Sequence, residues 1–504
     1  MASQADTLPR AAGETKLAET DAIAALIATY AATVSGRLDP ATEHAAKRAL
    51  IDSLAVALGA LRHPAAQAAR RHAYRFAQPE GCALWGTGRR THPELAALTN
   101  GVLLRCYDYN DFFVGQRNSG HPSDMVGGVV AAAEWAGASG KELLAAIAIG
   151  YDVVAACFDA FSTAPGGWDY TNLTAIGATA AIARLLKLDA DQAREALAMT
   201  VIPHLASDEI ESGDLNRRGD LTMWKRFNGS DAVRNALQAC LLASVGVEGA
   251  VRPFTGKLGF VAKLANKEDP VPVLRDRLQP GKAPVRVAET FMKRWPVGSL
   301  GQSAIQAALA ARAKLGGDIA GIKQVRIFSE EGAYEHLVKI RQAPYAPISR
   351  ETADHSLPSI VAAAVLDGVV TTASFAPPRV LDPARQRFLK DKVTAAPDPA
   401  LGTLASGKAK RAADGYLSRV EIETEDGRLI VGEAKPFPGH PRTPFSDADL
   451  EAKLRENVEP VAGAAHAGKL AALLLSVEKL GQVRELTALL AVRGSVDIDG
   501  APEE

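Results

Sequence analysis

Residues 103–124 gather Asp108, Asn110, Asp111, His121, Ser123 and Asp124 around a loop holding Gly115, Asn118 and Gly120. Pro122 has no backbone N–H and suits the first turn of a helix, so His121 is expected at a helix mouth. Free N–H groups and the dipole favour anions there. A side chain that titrates near neutrality suits proton transfer beside a carboxylate-bearing substrate. The same residue types also build ordinary capped loops.

Three further clusters carry cations or imidazoles. Arg217, Arg218, Lys225 and Arg226 fall within ten residues, next to Trp224. A partly buried Lys there can donate a proton or anchor a carboxylate, while the alternative is a solvated basic helix face. Lys293-Arg294-Trp295-Pro296 follows a strand-like run, and it either points into a site or into water. Asp354-His355-Ser356-Leu357-Pro358 precedes an apolar helix that His355 or Ser356 could simply cap. His440, in Pro438-Gly439-His440-Pro441, reads as part of a rigid turn between domains.

These groups need elements to hold them. Between about residues 21 and 264, Ala-rich stretches at 41–61, 94–104, 124–138, 141–161 and 172–188 space apolar residues three and four apart, predicting helices nearly throughout. Ser139 with Glu142 and Asp189 with Gln192 read as helix starts. The stretches 124–138 and 141–161 are apolar around most of their circumference, which places them mid-bundle. A Pro- and charge-rich connector at 268–284 leads to strand-like runs at 285–291, 323–328, 417–424 and 428–433. Glu425-Asp426-Gly427 supplies a hairpin turn, and helices are expected at 302–315 and 356–366. From about Ser446 to Val492 the pattern is helical again. The expected fold is mainly α with an α+β second domain: a helical domain at 1–269, an α+β lid at 270–436, and helices at 437–504 completing the first domain, with the site between them.

The bulk numbers remove other classes. With 504 residues, 47% hydrophobic and 23% charged, the chain is long enough for two or three packed domains. A net charge of −1 gives no global field toward nucleic acid or an anionic membrane. The apolar runs 129–133 and 143–154 stop short of the ~20 residues that span a bilayer. The polar N-terminus MASQADTLPRAAGETKLAET lacks a signal-peptide core, so a cytoplasmic protein is expected. Cys82, Cys106, Cys157 and Cys240 have no CxxC spacing and read as buried thiols in a reducing compartment, with no metal or cofactor expected. Walker, dinucleotide-binding, HExxH and GxSxG motifs are absent, and Gly86-Thr87-Gly88 reads as a turn.

Taken in order, Trp85-Gly86-Thr87, residues 96–101 (AALTNG), 107–111 with 120–124, Gly150-Tyr151-Asp152, Met223-Trp224-Lys225, 293–296 and 353–368 make the chain resemble the MmgE/PrpD family along nearly its whole length. The resemblance implies a helical domain with a smaller α+β lid, usually a homodimer without an iron–sulfur cluster. It implies 2-methylcitrate dehydratase, cis-aconitate decarboxylase or iminodisuccinate epimerase chemistry on a small carboxylate. By position, Asp108, His121, Lys225 and Lys293 look like the family's active-site acid, imidazole and two lysines. Arg226 and His355 are substrate-binding candidates. At two positions the chain departs: Tyr170 stands where relatives often carry a second His, and Ser359 where they often carry a lid Tyr. These remain substrate-binding candidates, with dehydration expected first, decarboxylation or epimerisation as the alternative, and a non-catalytic carboxylate-binding paralogue as a third reading.

Overall fold

The computed structural model describes residues 20–34, 36–212 (main chain only at 211–212), 217, 221–264, 268–433, 435–492 and 497–499. The reading of the N-terminal segment falls outside the described residues, as do Arg218, Gly219 and Asp220 of the basic cluster; Arg217 is exposed. The chain is mainly α-helical with a small mixed sheet.

Helix starts follow local chemistry. Asp39 caps Pro40–Gly59, with Pro in the first turn, and Ser139 with Glu142 forms a capping box on Gly140–Ala160. A second box joins Asp189 and Gln192 ahead of Ala190–Val201. Gly140–Ala160 spans 21 residues, longer than the apolar run 143–154 suggested, and by length and composition it could cross a membrane. Its residues from Leu143 to Ala160 are instead all buried, at the centre of the core. Helices Pro93–Arg105 and Val126–Trp135 meet at backbone distance, since a Cβ on Gly127 would lie 2.6 Å from the Gly101 nitrogen. That close crossing sets the Asp108 loop against the His121 turn.

Two hydrophobic clusters form the interior. The larger takes in the helices from Ile23 to Leu278 together with Leu450, Leu454, Leu470, Leu474 and Leu486 near the C-terminus. The smaller surrounds a four-stranded sheet in the order Val393–Pro397, Ile322–Ser329, Ser418–Thr424, Leu429–Gly432, whose first pair is parallel and the others antiparallel. Alternation places Val325, Ile327, Val420 and Ile422 on its inner face, under helices Gln302–Leu315 and Leu357–Asp367. Phe112 joins this second cluster from the loop after Asp108 by stacking on Phe291 and exchanging backbone hydrogen bonds with it.

Several expectations need correction. Residues 285–291 form no strand: Asp152 Oδ1 accepts the N–H groups of Val285 and Arg286, turning the chain into the short 3₁₀ helix Arg286–Glu289. The connector contains the helix Val271–Arg277. The helical half is interrupted by short pairs, Ala77–Ala83 with Arg90–Thr91 and Phe113–Val114 with Ser119–Gly120. Strand Val393–Pro397 went unforeseen.

Candidate active site

Helix Pro93–Arg105 ends in a turn that leaves Asp108 at φ 46°, in the left-handed region where Asp is better tolerated than most side chains. Its buried carboxylate accepts from Arg105 Nη1 at 3.0 Å and from Lys293 Nζ at 2.9 Å. Lys293 Nζ also donates to the Asp108 carbonyl at 2.7 Å. Burial alone would push the Asp108 carboxyl up, but Lys293 and Arg105 hold it well below the usual carboxylate range. Burial brings the Lys293 ammonium down to about 8 against the opposing pull of Asp108.

His121 stands immediately before the 3₁₀ turn Pro122–Met125, at the predicted helix mouth. The mouth is not open to a ligand anion, because Asp111 Oδ1 already accepts from Ser123 N at 3.0 Å. The imidazole Nδ1 contacts the Asp111 carbonyl, a pure acceptor, so Nδ1 carries the hydrogen and Nε2 keeps its lone pair. Nε2 lies 3.8 Å from Asp108 Oδ1. Burial, reinforced by Arg105 and Lys293, drives the His121 pKa well below its ordinary value, which keeps the ring neutral and able to accept a proton. The Tyr170 ring packs edge-on against it at 5.7 Å and donates its hydroxyl to Asp124 Oδ2 at 2.8 Å. Gly120 makes room for that ring, since a Cβ there would sit 2.1 Å from Tyr170 Cδ2.

The sheet-bearing part contributes His355, between helices Arg350–Asp354 and Leu357–Asp367. Ser356 caps the second helix by accepting from Ser359 N, which leaves the His355 ring to the site. Its Nδ1 is bonded to Asp354, while Nε2 lies 3.2 Å from Lys225 Nζ and 3.6 Å from Asp108 Oδ2. Burial and the Lys225 charge push His355 well below its ordinary pKa. Arg226 turns away from Lys225, donating to the Arg105 carbonyl at 3.1 Å and lying 3.4 Å from Glu351. Trp224 is half exposed and stacks on Phe227, so only the cations of that turn face inward.

A cleft of about 400 Å³ opens over this cluster, between the helical part and the sheet-bearing part. Of the eight residues read from sequence, Asp108, His121, Tyr170 and His355 line it. Lys225, Arg226, Lys293 and Ser359 are buried and lie behind its wall. Lys293 therefore reaches the cleft through Asp108, and Lys225 through His355. Ser359 sits in the first helical turn beneath the Ser356 cap. Sequence reasoning missed Arg105, which binds Asp108 and Asn110 and stands 3.6 Å from Asp124. The helix end beside the acids was legible, but nothing in the sequence showed that the Arg105 guanidinium turns back onto them. Asp354 was missed as the partner of His355, and Arg411 as a residue lining the cleft.

Family models for the MmgE/PrpD N-terminal domain, matching residues 25–272, and the MmgE/PrpD C-terminal domain, matching 295–479, cover most of the chain, which belongs to this family. It is 26% identical to 2-methylcitrate dehydratase from Cupriavidus necator, over 79% of this chain and 81% of that protein. It is 23% identical to human cis-aconitate decarboxylase, over 90% and 91% of the two chains. Against 2-methylcitrate dehydratase from Escherichia coli K12 the identity is 25%, over 78% and 81%. A dehydratase and a decarboxylase are both lyases, which is the family-level chemistry of these relatives.

Proposed function

We propose that the protein is a lyase acting on a small tricarboxylate, most simply a 2-methylcitrate dehydratase-like enzyme. The observation that carries this reading is the neutral His121 Nε2, on the cleft wall 3.8 Å from an Asp108 carboxylate that Lys293 and Arg105 keep ionised. Dehydration needs a base for an acidic C–H and a proton for the departing hydroxyl. His121 takes the proton from carbon. Lys225, behind the wall, supplies the proton for the leaving oxygen through His355, which lines the cleft. Arg105, Lys225 and Lys293 hold positive charge where an enolate-like carboxylate develops its negative charge.

A decarboxylase reading draws on Tyr170. Its hydroxyl is spent on Asp124, and burial raises its pKa well above the ordinary value, so it provides no second base. Loss of CO₂ from a cis-aconitate-like acid needs only one proton delivered to the carbon that loses its carboxyl, and the Lys225 ammonium supplies it through His355. Incubating the purified protein with 2-methylcitrate, citrate and cis-aconitate, while following alkene absorbance and CO₂ release, separates the readings. New alkene supports dehydration and CO₂ supports decarboxylation. Binding without turnover of any of the three acids would overturn the enzyme assignment in favour of a carboxylate-binding paralogue.

A further inference from the structure

A second buried ion pair lies outside the lining of the cleft. Lys453, on helix Asp447–Ala462, meets Asp52, on helix Pro40–Gly59, at 2.6 Å, and neither side chain exposes more than 1% of its surface. An ammonium has three N–H donors, and here each has its own acceptor. One goes to Asp52 Oδ1, one to the Lys293 carbonyl at 2.8 Å, and one to the Tyr109 carbonyl at 3.2 Å. The same ammonium stands 4.0 Å from the centre of the Tyr109 ring.

The two carbonyls belong to Lys293 itself and to the residue after Asp108. A single side chain from the C-terminal helices thus ties together the two segments whose side chains meet as the Asp108–Lys293 pair. Packing alone gives no reason for such a group, because a buried ion pair is often no better than an apolar pair of similar volume. The arrangement also tolerates Asp52 Oδ2 without a hydrogen-bond partner among the described residues. We propose that Lys453, neutralised by Asp52, is a positioning residue that fixes the distance and aim of Lys293 against Asp108. This rests on the assignment of Asp108 and Lys293 to the active site made above.

The test compares Asp52→Asn with the double variant Asp52→Asn/Lys453→Met. The single change leaves Lys453 its two carbonyl bonds and should keep kcat within about threefold. The double change removes both charges together, so no buried ion is orphaned, and leaves the two carbonyls without their donor. It should retain the wild-type circular dichroism spectrum while kcat drops ~10- to 100-fold with little change in KM. The charged and titratable groups facing Lys293 are Asp108, Arg105, Asp354, Asp52 and His121, and those facing Lys453 are Asp52, Arg294 and Asp111, so Asp52→Asn alone sets the limb against which the double variant is read. Of these, Asp108 holds the Lys293 proton most strongly, so loosening their contact should move the basic limb of the kcat profile to lower pH by about half a unit or more. A folded double variant with wild-type kcat overturns the proposal, and so does a lowered kcat with an unmoved limb.

Should the double variant not fold, Lys453→Arg carries the same comparison, because it keeps the charge while displacing the donors; wild-type kcat and limb in that protein overturn the proposal. Lysine-selective ¹³C labelling follows the Lys293 titration by NMR without substrate. A wild-type protein inert toward all three acids therefore counts against the assigned function alone, while the titration still decides the role of Lys453.

Discussion

At the scale of single residues, Asp108 is the hub. Two cations bond its carboxylate directly, and two imidazoles stand within 4 Å of it. Because the ring is neutral and its Nδ1 hydrogen faces the Asp111 carbonyl, His121 has one lone pair to offer, at Nε2. Replacing His121 with Ala should lower kcat by ~10² or more with a smaller change in KM, measured by steady-state kinetics on the acid the wild type turns over. Near-normal turnover would remove His121 from the mechanism. Lys293 makes a second prediction. With its ammonium brought down to about 8, activity that depends on that charge should fall as pH rises through about 8 in the kcat/KM profile of the wild type. Lys293→Arg keeps the charge at every accessible pH, so whatever activity the variant retains should show no such limb. A limb that persists near pH 8 in that variant belongs to another group.

The elements show how much of this was legible in the sequence. Capping boxes at Ser139 and Asp189 and the helix Gln302–Leu315 formed as read, because their signals are local. Residues 285–291 misled because a β-branched run looks like a strand until a distant carboxylate, Asp152, captures its amides. Strand Val393–Pro397 was invisible since Val-Thr-Ala-Ala-Pro has little strand character; it pairs as an edge in parallel with Ile322–Ser329, and an edge can end in Pro. That Asp108 and His121 come together was legible for the same reason the caps were, since they share one short segment. The shielding of Lys293 and Lys225 was not, because depth behind a wall depends on how helices cross. Gly120 tests this scale. Gly120→Ala should push the Tyr170 ring off Asp124 and His121, lowering kcat about tenfold or more while the fold survives. Tyr170→Phe removes only the hydroxyl and should cost less than Gly120→Ala in the same assay. If both variants lose activity equally, the hydroxyl matters and the ring position does not.

Across the whole molecule, Asp111 joins parts that no local pattern connects. Its carboxylate accepts from Tyr151, on the central helix, at 2.7 Å and from Ser123 at the His121 turn, while its carbonyl meets the His121 ring. Burial raises its pKa from an ordinary carboxylate value to about 7. Below about pH 4 both folded and unfolded chains hold this proton. Between there and pH 7 the unfolded chain releases it and the folded chain retains it, so the unfolded state binds fewer protons and stability falls as pH rises. The loss is about 1.4 kcal/mol per unit at its steepest, roughly 2 kcal/mol from pH 5 to 7, and it levels off by about pH 8. Asp111→Asn has no proton to release. The variant should therefore gain on the wild type by about 3 kcal/mol between pH 5 and pH 8, whatever constant cost its altered hydrogen bonds impose. Urea unfolding at unit steps across that range reads the difference directly. Parallel curves for the two proteins would mean that Asp111 is already ionised at pH 5, and that the junction beneath His121 is held by a charge rather than by a proton.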